Sequence, residues 1–166
     1  MITLDEAKDT IIEARRLGMS GAEFLAALGP SNVARACNGI GPEDMPEKWR
    51  KKLDKCMWLF VVPCRGHDCR FTFDNDGTAA KFRAANDELE RNCLITANTR
   101  GAWYNPKRWW WRHNARVVAW ICQTFGWDSW RRAFEKAKAQ GIVPCNGQFR
   151  LGGRNAGGKG ERSLSG

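Results

Sequence analysis

A mainly α-helical fold is what the sequence predicts, on three observations. Apolar residues recur at spacings of three and four along most of the chain, the period at which side chains share one face of a helix. Hydroxyl residues followed three positions later by Glu stand just ahead of such stretches, as helix-opening capping boxes do. Gly and Pro stand between the stretches and divide them into separate helices.

The elements follow in order. Residues 3–17 carry Leu4, Ala7, Ile11 and Ala14 on one face, with Ile12 beside them, opened by Thr3 with Glu6 at the box position and stopped by Gly18. Ser20 is positioned to cap a second short helix, with Glu23 at the box position and Phe24, Leu25 and Leu28 inside it, ending at Gly29-Pro30. Two short helices about a glycine turn fit a helix-turn-helix pair, and they equally fit any helical hairpin. Cys37-Asn38-Gly39-Ile40-Gly41-Pro42 is an irregular loop, because alternate glycines free the backbone to turn its carbonyls one way. Residues 45–60 form a packing helix through Trp49, Leu53, Cys56, Met57 and Phe60, with Lys48, Arg50, Lys51 and Lys52 toward solvent. Pro63 opens the next helix, which ends in the polar turn Asp74-Asn75-Asp76-Gly77. The helix over residues 78–94 has Phe82, Ala85, Leu89 and Cys93 along one face and Ala80, Ala84, Asp87 and Arg91 along the opposite one. Residues 103–132 are a basic-aromatic tract with a helix start at Pro106; the adjacent Trp109, Trp110 and Trp111 cannot share a face, so some turn inward, and core packing is the expected role for most indoles. A last helix opens at Asp128 or Ser129 and closes near Gly141.

These elements group into a helical pair at residues 1–30, a main helical domain at 31–140 and a tail at 141–166. The tail is rich in Gly, Arg, Lys and Ser, and too poor in apolar surface to fold alone. It is either an arm for anionic surfaces or a terminus without a role.

Lys and Arg number 27 against 18 Asp and Glu among 166 residues, a net charge of +9, which calls for an anionic partner: a phospholipid surface, or nucleic acid through a basic patch. Nine tryptophans interleaved with arginine suit a membrane–water boundary, and suit base stacking as well. Neither a secretory signal nor a stretch long enough to span a bilayer is apparent, so the protein is either made without the secretory route or seen in a mature form, and a cytoplasmic or virion-associated setting is expected. The seven cysteines (37, 56, 64, 69, 93, 122 and 145) contain no Cys-x-x-Cys pair that would suggest zinc; buried free thiols are the expectation, with one or two disulfides as the alternative.

The candidate chemistry lies in Pro63-Cys-Arg-Gly-His-Asp-Cys-Arg-Phe71. Helical spacing sets Cys64, His67, Asp68 and Phe71 along one side. There a histidine can act as general base and an aspartate can offer oxygen to a hard cation; an ordinary core histidine satisfied by a neighbour fits the same residues. Asp87, beside small alanines, either meets His67 across a helix interface or points to water and pairs with Arg91.

Taken together, three pieces resemble a phospholipase A2, in particular its parvovirus-capsid and small phage- and prokaryote-encoded branch. The glycine-rich stretch from Cys37 to Pro42 is similar to that superfamily's calcium loop. Cys64-Arg65-Gly66-His67-Asp68 is similar to its Cys-x-x-His-Asp helix, and Asn86-Asp87 with Leu89 to its Asp-bearing second helix, in the same order and at a similar separation. The resemblance covers about a third of the chain and leaves out the N-terminal pair, the Trp-rich region and the tail. It implies a core of two antiparallel helices and calcium-dependent hydrolysis of the sn-2 ester of a glycerophospholipid. His67 would activate water and Asp87 would hold the imidazole. Asp68 and the backbone carbonyls of Cys37, Gly39 and Gly41 would bind Ca2+, and the Gly39 N–H would stabilise the oxyanion. Phe71 stands where the family commonly has a tyrosine, and Cys69 lies one residue short of a family cysteine, so neither the hydroxyl support nor the usual disulfide pattern carries over. The alternative is a phospholipase-like scaffold without turnover, a phage protein that binds nucleic acid, a membrane or a host protein.

Overall fold

A computed structural model describes residues 1–37, 48, 57–100 and 102–139. Six α-helices and one short 3-10 turn make up its regular structure among those residues, and no strand occurs there. Helix α1 spans Leu4–Arg16, α2 Ala22–Ala36, the 3-10 turn Trp58–Phe60, α3 Val61–Phe73, α4 Ala79–Thr99, α5 Pro106–Phe125 and α6 Trp127–Ala139. The mainly α expectation therefore holds. The helix expected over residues 45–60 and the loop from Asn38 to Pro42 lie for the most part outside the described residues, as does the tail.

Local chemistry sets most of the boundaries. Thr3 caps α1 in a full box, its Oγ1 accepting from the Glu6 N–H while the Glu6 carboxylate accepts from the Thr3 N–H at 2.8 Å. Thr78 and Asn105 cap α4 and α5 through their side chains, and Pro106 occupies the first turn of α5, where its missing N–H leaves no partner wanting. Two starts differ from expectation. The N-cap of α2 is Gly21 at φ +79°, and Ser20 instead sends its hydroxyl to Glu88 and its backbone N–H to Asn92 Oδ1 at 2.9 Å. Helix α3 opens two residues ahead of Pro63, straight out of the 3-10 turn.

Helix α2 is two helical pieces meeting at Gly29, whose backbone is non-helical (φ +75°, ψ 160°), so the second short helix stops at Gly29-Pro30 as expected and Pro30 opens the piece that follows. The α1–α2 pair also shares a core with α3: Ala7, Ile11, Ala14, Leu25, Leu28 and Val33 pack with Cys37, Cys69 and Phe73. On its other side α3 meets α4. Asp74 is bonded by Lys81, Phe71 packs near Phe82 and His67 reaches Asn86, so partner numbers rise along α4 as they fall along α3. The two helices are antiparallel, as expected. Helix α5 lies along α4, with Ala115 buried in a second core beside Leu89, Cys93 and Ala97.

Polar groups tie these packed helices together. Arg70 of α3 grips Glu88 of α4 with two nitrogens at 3.0 and 2.9 Å, reaches Asp74 at 2.9 Å and lies over the Phe24 ring of α2. Attached in this way, its guanidinium holds its proton even more firmly than usual: burial opposes the charge, but bonding to Glu88 and Asp74 outweighs it. Asn92 exchanges two hydrogen bonds of 2.9 Å with the Ser20 backbone, pinning the α1–α2 turn to α4. Asn75, buried, donates to the Trp130 carbonyl at 2.7 Å and draws α6 onto the α3–α4 turn.

Gly21 sits at the crossing of these ties. A Cβ there would lie 2.6 Å from Glu88 Oε1 and 3.0 Å from an Arg70 nitrogen, whereas one at Gly18, also at positive φ, would meet nothing within 4 Å. Gly18→Ala should cost about 1–2 kcal/mol, the left-handed backbone penalty alone. Gly21→Ala should cost roughly 1 kcal/mol more, because the ion pair must shift as well. Urea unfolding of the two variants side by side checks this, and equal losses would show that Gly21 is not constrained by the Arg70–Glu88 pair.

Candidate active site

Helix α3 is enclosed by α1, α2, α4, α6 and the 3-10 turn, which explains why its residues lack a single apolar face. Groups turned toward α4 include His67. Its Nε2 lies 2.9 Å from Asn86 Oδ1, while the Asn86 amide nitrogen donates to the Phe82 carbonyl at 3.0 Å. That second bond orients the amide. With its nitrogen committed to a carbonyl, Asn86 presents only its oxygen to the ring, so His67 Nε2 carries the hydrogen and donates it. Nδ1 is thereby left with the lone pair.

The ring rests against Phe71, with centroids 4.5 Å apart, and Phe71 stands edge-on to Trp130 at 4.7 Å. Phe82 and Trp127 extend this aromatic wall. Phe71, where a tyrosine hydroxyl had been the family expectation, therefore supplies apolar surface to the imidazole. Although the residue keeps some accessible surface, removal of the ring from water is the larger influence on its titration. It pushes the His67 pKa down to about 4, against a smaller upward pull from the Asn86 oxygen. The imidazole is neutral at physiological pH.

Asp87, expected to orient the imidazole, does not face it. The residue is exposed on the outer side of α4, so it points to water as in the second arrangement considered, but without the ion pair to Arg91. Asn86, one position earlier and buried, takes the orienting place. Sequence periodicity held the signal: position 86 follows Phe82 by one turn and flanks Ala85 and Leu89 on the buried face, whereas Asp87 falls in line with Ala80, Ala84 and Arg91, all exposed.

Asp68 follows His67 on α3, half-buried, with one carboxylate oxygen withdrawn from solvent. Its charge is felt at Cys122 of α5, whose thiol is pushed up to about 11 by burial first and Asp68 second. Cys37 turns its sulfur inward, 3.4 Å from the Arg65 carbonyl and 3.9 Å from the Cys69 sulfur. The described cysteines are free thiols, as expected. Gly39 and Gly41, the other candidate loop residues, lie outside the described residues. No cluster of three or more His, Cys, Asp or Glu side chains that could hold a metal occurs among the described residues. Calcium can also use single carboxylates with main-chain oxygens, and Asp68 is a donor of that hard type. A cavity of about 480 Å3 lies elsewhere, bordered by Asp9, Glu13, Trp58, Arg65 and Arg100, and includes none of His67, Asp68 or Asn86.

A histidine buried neutral makes the fold sensitive to acid. Its folded pKa of about 4 lies below the ordinary 6.5, so between those values the unfolded chain binds the extra proton. The contribution is fully present above pH 6.5 and is lost as pH falls toward 4, by roughly 2–3 kcal/mol after allowance for residual exposure. Denaturant unfolding over that range should show the loss and His67→Gln should flatten it; an identical slope in both proteins would mean that His67 is not the group responsible.

Comparison with known proteins finds no matching family model, no matching curated protein and no matching solved structure.

Proposed function

We propose that the protein hydrolyses an ester of a glycerophospholipid, with His67 as general base and Asn86, in place of Asp87, as the residue that orients it. The observation that carries this reading is the 2.9 Å contact between His67 Nε2 and an Asn86 oxygen whose direction is set by the amide's bond to Phe82. It supports a neutral imidazole with its lone pair on Nδ1, the form that accepts a proton from water. The water oxygen then bonds to the sn-2 carbonyl carbon while its proton passes to Nδ1. On collapse of the tetrahedral intermediate the ester C–O bond breaks, and the proton moves from Nδ1 to the leaving glycerol oxygen. A free fatty acid and a lysophospholipid are the products.

Following the resemblance, Ca2+ would be held by Asp68 with the backbone oxygens of Cys37, Gly39 and Gly41, and the Gly39 N–H would face the developing oxyanion. Bound calcium would supply electrostatic stabilisation of that negative charge. An imidazole with a pKa near 4 is fully unprotonated at neutral pH but gains less on taking a proton than one poised near 7, so turnover is expected to be slow.

Fatty-acid release from anionic vesicles should vanish in His67→Ala and on calcium chelation, fall roughly 10- to 100-fold in Asn86→Ala, and stay unchanged in Asp87→Ala. In the unaltered protein the rate should hold steady down to about pH 5 and drop only near pH 4, because His67 must lose its proton to act. Asn86→Asp should move that acid limb upward, since a carboxylate favours the imidazolium. Release that survives His67→Ala, or that disappears with Asp87→Ala alone, would defeat this assignment.

The amide in place of a carboxylate, together with Phe71, favours a second reading: a phospholipase-like scaffold that binds an anionic partner without turnover. Absence of fatty-acid release, with DNA binding that weakens steeply as salt rises, would select it.

A further inference from the structure

Helix α5 presents its apolar side chains in the wrong direction for a helix that ends in water. Against α4 it buries Ala115 and Ala119, with Trp111, Val118 and Cys122 partly covered. The face turned away holds Trp109 at 77% exposure, Trp110 at 57%, Trp120 at 61% and Ile121 at 46%, and the helix ends in Phe125 at 69%. Trp109 and Trp120 stand three turns apart on one line, and Trp110, Val117 and Ile121 form the line beside it. Arg112 and Arg116, both exposed, flank the stripe. Just before the helix, Trp103 and Tyr104 are also open, at 83% and 74%.

The charges of the helix and of the segments on either side of it in sequence are of one sign. From Arg91 to Trp127 the sequence contains no Asp or Glu, while it holds Arg91, Arg100, Lys107, Arg108, Arg112 and Arg116. The contact of Arg116 with Glu90 is 4.0 Å long and exposed on both sides, too weak to hold the guanidinium against a phosphate.

We propose that the outer face of α5 docks flat on an anionic phospholipid bilayer, its indoles and Ile121 seated at the acyl boundary and Arg112 and Arg116 on headgroup phosphates. A 20-residue helix gives a strip about 30 Å long, enough to lie across several headgroups. The make-up of the face favours lipid over its competitors. Val117, Ile121 and Phe125 offer nothing to a nucleic-acid backbone but gain by leaving water for acyl chains. A second copy of the chain would set Arg112 and Arg116 against their own counterparts with no acid on the helix to answer them. None of the helices crosses the membrane in this arrangement, in keeping with the finding that none described is long and apolar enough to do so. The inference deepens the hydrolytic reading by naming the surface that meets the substrate's aggregate. It shares that reading's lipid class without needing turnover.

Binding is therefore measured on ether-linked lipids, which contain no sn-2 ester, so that its failure and a failure of hydrolysis are read separately. The full chain should co-sediment with vesicles of equal parts phosphatidylglycerol and phosphatidylcholine and only weakly with phosphatidylcholine alone. Brominated lipid should quench its tryptophan emission. The Trp109→Ala/Trp120→Ala variant should lose most of that quenching, and Arg112→Gln/Arg116→Gln should bind roughly tenfold or more weakly. All four side chains are exposed, and unchanged circular dichroism confirms the fold. Vesicle binding untouched by either variant would overturn the proposal. So would tighter binding to duplex DNA than to vesicles at the same salt, or a concentration-dependent dimer that Trp109→Ala/Trp120→Ala dissolves.

Discussion

Enclosure of α3 on nearly every side is the constraint from which the rest of this structure follows. A helix of Val61–Phe73 that carries His67, Asp68, Arg65 and Arg70 packs favourably among other helices only if most of its polar atoms find partners, since an unmet buried polar group costs about 1–3 kcal/mol; Arg65 Nε is buried without a hydrogen bond. Two of the neighbours supply most of the partners. Helix α1 offers the Thr10 hydroxyl and Glu6 to Arg65, at 3.0 and 3.2 Å; α4 offers Glu88 to Arg70 and Asn86 to His67. The helices around α3 are thus placed by polar pairing as much as by apolar burial, and their register along α3 is correspondingly specific.

The same constraint gives the site its character. A histidine that only filled a core could bond through either nitrogen. Here an amide that is itself pinned to Phe82 dictates the tautomer, and the aromatic group of Phe71, Phe82 and Trp130 keeps the ring uncharged. An aspartate in that place would attract a proton onto the imidazole; an asparagine orients it while leaving it neutral and a weaker base. Stability and chemistry are in tension at this point, because the burial that lowers the His67 pKa is also what makes the fold sensitive to acid.

Helix α5 shows the opposite balance. One side packs on α4 through small residues, which lets the helices approach closely, while the larger apolar groups remain outside. Most of the indoles expected in a core are in the open: Trp130 is buried and Trp111 and Trp127 are half-covered, but Trp58, Trp103, Trp109, Trp110 and Trp120 are exposed. Leaving water is favourable for surface of this kind, so its outward placement has to be offset by helix packing elsewhere or relieved by a partner.

By itself the sequence determined the helical class, the cap at Thr3 and the start at Pro106. These depend on neighbours in the chain, on hydroxyls, prolines and apolar residues at fixed spacing, and such local rules hold whatever surrounds them. It also contained the correct side for position 86, in the stripe of Phe82, Ala85 and Leu89, but the resemblance pointed to Asp87 and against the period. What only the tertiary structure decided was the partner of each polar group and the direction of each tryptophan. Three consecutive indoles must diverge around a helix, yet which of them meets the core depends on where α4 lies. Likewise Gly21 displaces Ser20 as the cap of α2 because Glu88 and Asn92, about 70 residues away in sequence, claim the serine's hydroxyl and backbone. Contacts between residues so distant in the chain are chosen by the packing of whole helices.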